Sequence, residues 1–432
     1  MNAYATVIPE LEAAIGALPV IDTHEHLPAH EAHREQDTDV LREYLTHYFN
    51  RDLISAGLPR ADFEKARDAS GRSGTLAERW ALVSPYWEAC RLTGYGRALD
   101  LSAQGIYGIE RIDGGSIEAL NAAFLQTLHQ PHYRRVLKDL CGIQTSVLDA
   151  WTVDADADYF SPAFNIAGLV RPNSDQLREG GDGATAGLVT MPVRSYGDWL
   201  DVCDATLDTA IARGAACFKS AMAYDRSLAF PRVTFAEAEA DFQAALSPYH
   251  RPDWNTQPAI PGEAFQCYTM HHVLRGIERR GKALQVHTGL QEGNGNLLAN
   301  SNPLLLSNLF LEYPDLHFDI FHMAYPFMGE LSALCKNFPN VFIDMCWGHI
   351  ISPRASMLAL DEWLDAVPYN KISAFGGDYC FIDGVYGHLA LARQNVGKTL
   401  SRKVLAHEIT LDQAQRIAHA LFYENPKRVL RL

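Results

Sequence analysis

A (β/α)8 TIM barrel is the fold class that the sequence predicts, and three observations predict it. Short apolar, β-branched or aromatic runs recur eight times along 432 residues, amphipathic helical stretches separate the later ones, and polar residues capable of chemistry stand where the runs end. Strand then helix, repeated, implies a parallel sheet, and eight such units close into a barrel.

Strands are expected over residues 20–26, 143–149, 165–171, 215–222, 283–288, 317–323, 341–347 and 372–378. The stretch "AFQCYTMHHVLRGIERRG" precedes the fifth, "PLLLSNLFLEYP" the sixth, "MGELSALCKNFP" the seventh and "SMLALDEWLDAVP" the eighth, each with apolar residues at helical spacing. No clear helix separates the second and third. Residues 27–140 break the alternation. Long, helically patterned and punctuated by Gly and Pro, they read as a helical insertion after the first strand that covers the barrel mouth, within a single domain spanning 1–432. A second stretch, from about residue 230 to 262 and containing "SPYHRPDWNTQPAIPG", reads as a loop lining the same mouth.

Composition narrows the partners. A net charge of -15 argues against nucleic acid and anionic membrane surfaces, because a phosphate-binding face needs a positive field, so a small-molecule substrate is expected. No apolar run approaches the roughly 20 residues of a membrane helix. The first residues carry acids and lack the basic start of a signal peptide, so a cytoplasmic location is expected. The eight cysteines are scattered without a C-x-x-C pair and read as reduced thiols. The acidic surface is compatible with a monomer or a homo-oligomer.

In such a barrel, function sits at the C-terminal ends of the strands. His24 and His26 close the first predicted strand, Lys219 lies towards the end of the fourth, His287 and His322 towards the ends of the fifth and sixth, and Asp378 closes the eighth. Strand side chains alternate with period two, so His24 and His26 face the same way and both can reach one ion. The eighth strand closes against the first, which brings Asp378 beside them. A lone His-x-His is more often incidental than a ligand pair. Four histidines and an aspartate at separate strand ends together make a site for a divalent first-row ion, with Zn²⁺ first and Mn²⁺ as an alternative. Lys219 is either carboxylated, bridging two ions, or a free amine that binds an anionic substrate group.

The order His-x-His, Lys, His, His, Asp over strands one, four, five, six and eight resembles the amidohydrolase superfamily of metal-dependent hydrolases. More narrowly, "CFKSAMAYDRSL", "LQVHTGLQEGNG", "NPLLLSNLF", "HMAYPFMGELSAL" and "NVFIDMCW" are similar to the amidohydrolase half of proteins that, in fungi and plants, are fused to a glutamine-synthetase-like domain. The closing "LFYENPKRVLRL" resembles the last helix of the superfamily, and the large insertion resembles that of uronate isomerases, which do not hydrolyse. The resemblance implies that His24, His26 and Asp378 bind a first ion, while His287 and His322 bind a second or orient the substrate. It further implies that metal-activated water attacks an amide, lactone or related carboxyl derivative, with Asp378, Lys219 and His322 as catalytic groups. A metal-dependent decarboxylase or an aldose–ketose isomerase is the alternative on the same scaffold.

Tyr224, Arg226, Asn294, Trp347 and His349 follow the strand ends closely enough to be substrate-binding candidates, and Arg226 could clamp a carboxylate bidentately. Other motifs are excluded. "GIERRGKA" has the spacing of a phosphate loop, but Ala283 stands where Ser or Thr is needed and the stretch runs from helix to strand. There is no G-x-S-x-G elbow, and "GGDGATAG" lacks the dinucleotide-binding spacing.

Overall fold

Val20–Glu25 (β1), Ile143–Leu148 (β2), Phe160–Asn165 (β3), Cys217–Ser220 (β4), Ala283–Val286 (β5), His317–Ile320 (β6), Val341–Asp344 (β7) and Ile372–Ser373 (β8) pair in parallel in chain order. They belong to a computed structural model that describes residues 4–150, 152–247 and 257–432. Past β8 the chain runs on beside β1. Thr23 donates its amide proton to Phe375 at 3.1 Å, Asp378 to His24 at 2.8 Å and His26 to Tyr379 at 3.0 Å, so the barrel is nearly closed. This seam is tight. A Cβ on Gly377 would run into the Glu25 carboxylate, and one on Gly376 would crowd Thr23 and Cys346, so side chains are excluded here.

Every residue of β1, β4, β5 and β7 is buried, as expected of parallel strands covered on both faces. Part of the interior is polar. Gln285 of β5 donates across to the carbonyl of Thr23 in β1 at 2.9 Å, and Asp22, Asp319 and Asp344 are fully buried nearby in sequence register. Burial and the neighbouring Asp344 push the Asp319 carboxyl well above its usual range. Val147, Ala163, Cys217 and Ala283 form a separate apolar cluster with Leu430 of the last helix.

The third strand lies upstream of its expected place. Residues 165–171 hold only its final residue; beyond it, Ala167–Val170 is a short helix whose first amide donates to Asn165 Oδ1 at 3.0 Å. The apolar run "IAGLV" has strand composition, whereas Pro162 counts against the segment that does pair. The eighth strand is also shorter than expected. Only two of its residues join the ladder, and residues 374–378 continue outside it, held by both backbone and side-chain hydrogen bonds. The expected loop at 230–262 contains a helix, Phe235–Leu246, started by a reciprocal cap in which Thr234 Oγ accepts from the Glu237 amide and Glu237 from the Thr234 amide. Residues 248–256 of that stretch lie outside the described residues.

Between β1 and β2 run helices Val40–Tyr44, Phe49–Ser55, Arg60–Ala66, Leu76–Cys90, Gly94–Tyr107 and Ile117–Thr127. Buried Asp383, at the start of helix Ile382–Leu405, ties them to the barrel by accepting from Tyr44 (3.1 Å) and Tyr107 (2.7 Å) and pairing with His132 (2.8 Å). Among the described residues, no helix is long and apolar enough to cross a membrane.

Candidate metal centre

At the C-terminal ends of the strands lies a cavity of about 330 Å³ lined by His24, His26, Lys219, His287 and Asp378 together with Tyr224. His24 Nε2 and His26 Nε2 are 3.2 Å apart, and Asp378 Oδ1 is 3.5 Å from the first and 3.2 Å from the second. A tetrahedral ion with ligand bonds of ~2.0–2.1 Å spaces its ligands about 3.3 Å apart. The three donors therefore already stand at the edges of such a polyhedron and fit a divalent ion. His26 Nδ1 donates to the carbonyl of Asp149 at 2.7 Å, which leaves the Nε2 lone pair pointing into the site.

A different arrangement faces it. His287 Nε2 donates to Leu290 O and His322 Nδ1 to Cys346 O, each at 3.1 Å, so both neutral rings turn lone pairs towards each other, with His322 Nε2 2.8 Å from His287 Nδ1. A cation shared by the two lone pairs would relieve their repulsion. A proton is disfavoured, because burial lowers the basicity of His287 well below normal and brings His322 to about 4. Lys219 Nζ is buried, lies 3.7 Å over the Phe321 ring and has no hydrogen-bond partner. Burial, only partly opposed by Asp378 and Asp149, lowers its pKa. Burial alone would raise the Asp378 carboxyl, but His26, His24 and His322 outweigh it and hold the group ionised.

The strand that presents Asp378 is anchored by side chains. His349 Nε2 reaches Ala374 O at 2.9 Å, His388 Nδ1 reaches Gly377 O at 2.9 Å and Tyr48 donates to Asp378 O at 2.5 Å. Asp378 and His322 adopt left-handed backbone, with φ of 58° and 64°, a region other residues than Gly enter at a cost that functional sites often carry.

The remaining expected residues divide. Tyr224 lies on the cavity wall with its ring 4.6 Å from that of His287. Asn294 and Trp347 line an adjoining cavity of about 170 Å³ that shares Tyr48 and Glu292 with the first. Arg226 does not line either cavity: it donates to Glu263, Gln266 and Ala229 and covers the Phe230 ring, because its own loop and a neighbouring helix satisfy the guanidinium. His349 is fully buried behind the β8 stretch, so it supports the site without lining it. Sequence reasoning passed over His47, Tyr48, Asp149 and Asn165, all on the cavity wall. Asp149 closes the expected second strand and had that positional signal; His47 and Tyr48 sit in the helical segment and had none. Cys346 also comes within reach of an ion shared with His322 and Asp378, and burial pushes its thiol well up.

Residues 238–432 match the sequence pattern of a family described as amidohydrolase. Protein fluG of Emericella nidulans is 29% identical over 159 residues, covering 36% of this chain and 18% of that protein, so the match spans under a fifth of its length. Glucuronate isomerase from Caulobacter crescentus superimposes with a TM-score of 0.76 at 18% identity, over 100% of this chain and 95% of the other. Uronate isomerase from Thermotoga maritima also gives 0.76, at 15% identity, over 98% and 97%. These likenesses extend the barrel fold over the whole chain. Its C-terminal part carries the amidohydrolase pattern, and the resemblance to the amidohydrolase superfamily read from the strand-end residues holds.

Proposed function

We propose that the cavity holds one or two divalent ions, Zn²⁺ in the first instance, and hydrolyses an amide, lactone or related carboxyl derivative of a small polar molecule. The observation that carries this reading is the spacing of His24 Nε2, His26 Nε2 and Asp378 Oδ1 at tetrahedral edges. When bound, such an ion polarises a substrate carbonyl and lowers the pKa of its water towards ~7. His24, His26 and Asp378 would hold the first ion. His287 and His322 turn lone pairs to a second position, where carboxylated Lys219 would complete the ligand set; its amine has no partner and burial makes it less basic, which suits it to take up carbon dioxide. Asp378 accepts the proton released in the attack and passes it to the leaving group, a role suited to a carboxylate held ionised at neutral pH. Tyr224 and Trp347 bound the substrate space.

A non-hydrolytic isomerase or decarboxylase is the second reading, favoured by the full-length fold match to the two uronate isomerases. Against it, among the described residues no arginine lines the main cavity to hold a uronate carboxylate bidentately. Turnover in ¹⁸O-labelled water separates the two. Hydrolysis places one labelled oxygen in a new carboxylate, and its absence from every product sinks the hydrolytic reading.

A further inference from the structure

The cavity contains one carboxylate that neither the proposed metal ligands nor a direct ion pair uses. Asp149 follows β2, is 3% exposed and lines the cavity beside His26. Its Oδ2 accepts one hydrogen bond, from Asn165 Nδ2 at 3.1 Å, and Oδ1 accepts none. The other wall carboxylates are matched: Asp225 pairs with Arg171 at 3.2 Å and Glu292 with Arg51 at 2.8 Å. Among the described residues Asp149 forms no ion pair. A buried carboxyl oxygen left without a donor is costly, and a ligand that brings a hydrogen-bond donor, a charged one above all, removes that cost. Asn165 fixes the orientation of the carboxylate, and its own Oδ1 is tied to the Ala167 amide, so the amide cannot turn to present an acceptor in place of its donor.

We propose that Asp149 is the specificity-determining residue of this site and binds a protonated amine carried by the substrate, so that the substrate class is an amino-bearing carboxyl derivative. This rests on the metal-dependent reading above. The ammonium group donates to Oδ1, and the reacting carbonyl turns towards His24, His26 and Asp378.

Calorimetric binding of four matched hydroxamates to the zinc-loaded full chain at neutral pH tests it, since a hydroxamate ligates a bound divalent ion whatever the reaction. The probes are 3-aminopropanohydroxamate, neutral butyrohydroxamate, 3-hydroxypropanohydroxamate and the anionic succinic monohydroxamate. The amino probe should bind about tenfold or more tighter than the neutral and hydroxy probes, with the anion weakest. In Asp149→Asn, with zinc content checked, the amino-to-neutral ratio should fall to about one. Binding of the neutral probe without any amino preference overturns the ammonium site alone, as does a preference that survives in Asp149→Asn or a tighter hydroxy or anionic probe. Failure of all four to bind overturns the metal reading, and this proposal with it. The ranking in the unmodified protein decides the matter even if the variant does not fold.

Discussion

On the β1/β8 side of the cavity, three donor atoms from His24, His26 and Asp378 stand at tetrahedral-edge spacing; on the β5/β6 side, two histidine lone pairs face each other at 2.8 Å beside an amine without a partner. The first side offers its three donors without modification. The second lacks an anionic ligand, which a carboxylated Lys219 would supply. Its neutral imidazoles alone leave a divalent ion with little charge compensation, so occupancy there should depend on carbon dioxide, while occupancy at the first side should not.

The largest effect belongs to the complete side. On the proposed reading Asp378→Asn removes both a ligand charge and the proton acceptor, and kcat should fall roughly 10²–10⁴-fold on any substrate the protein turns over. Retention of most activity would show that the β1/β8 cluster is structural.

Lys219→Met probes the other side. Metal content measured by elemental analysis should drop from two to one per chain, and short carboxylates such as acetate should restore part of the second equivalent. A wild-type protein that holds a single ion even in bicarbonate would make Lys219 a free amine and the two sides functionally unequal.

The seam itself can be broken without touching a ligand. Gly377→Ala forces a methyl group towards the Glu25 carboxylate, and the metal-free protein should lose about 1–3 kcal/mol in urea unfolding. Unchanged stability would mean that the β1/β8 closure is looser than its contacts indicate.

A smaller effect is expected in pH dependence. Burial holds His349 at about 4 and His388 at about 3, against ~6.5 for an exposed imidazole. Between those values the unfolded chain binds protons that the folded chain refuses. Stability of the metal-free protein is therefore complete above about pH 6.5 and falls as pH drops towards 4, by about 1.4 kcal/mol per pH unit per histidine. Urea midpoints at pH 7.5, 6 and 5 check this, and His388→Gln should flatten the slope. A slope that the variant leaves untouched would remove His388 from the seam's pH sensitivity.

The barrel could be read from the chain because its signals are local. Alternation of period two set which residues of "VIDTHEH" share a face, and helical periodicity between the later strands announced the parallel topology. Strand ends misled where composition and pairing disagreed: "IAGLV" is apolar but helical, while Pro162 lies in a strand that pairs on both sides. The reciprocal cap at Thr234 and Glu237 was legible and outweighed by the loop-like residues after it.

Sequence alone determined the strand-end order of His24, His26, Lys219, His287, His322 and Asp378, because a ligand's place along a strand is a matter of spacing. Only the tertiary structure decided which way each imidazole turns its lone pair, since that depends on carbonyls of Asp149, Leu290 and Cys346 brought in by chain remote from, or looping back on, each histidine. It also decided that Arg226 and His349 are occupied away from the main cavity while Asp149 Oδ1 is left without a donor within it. Whether a charge is paired is a property of three-dimensional neighbours, and no periodicity in the chain encodes it.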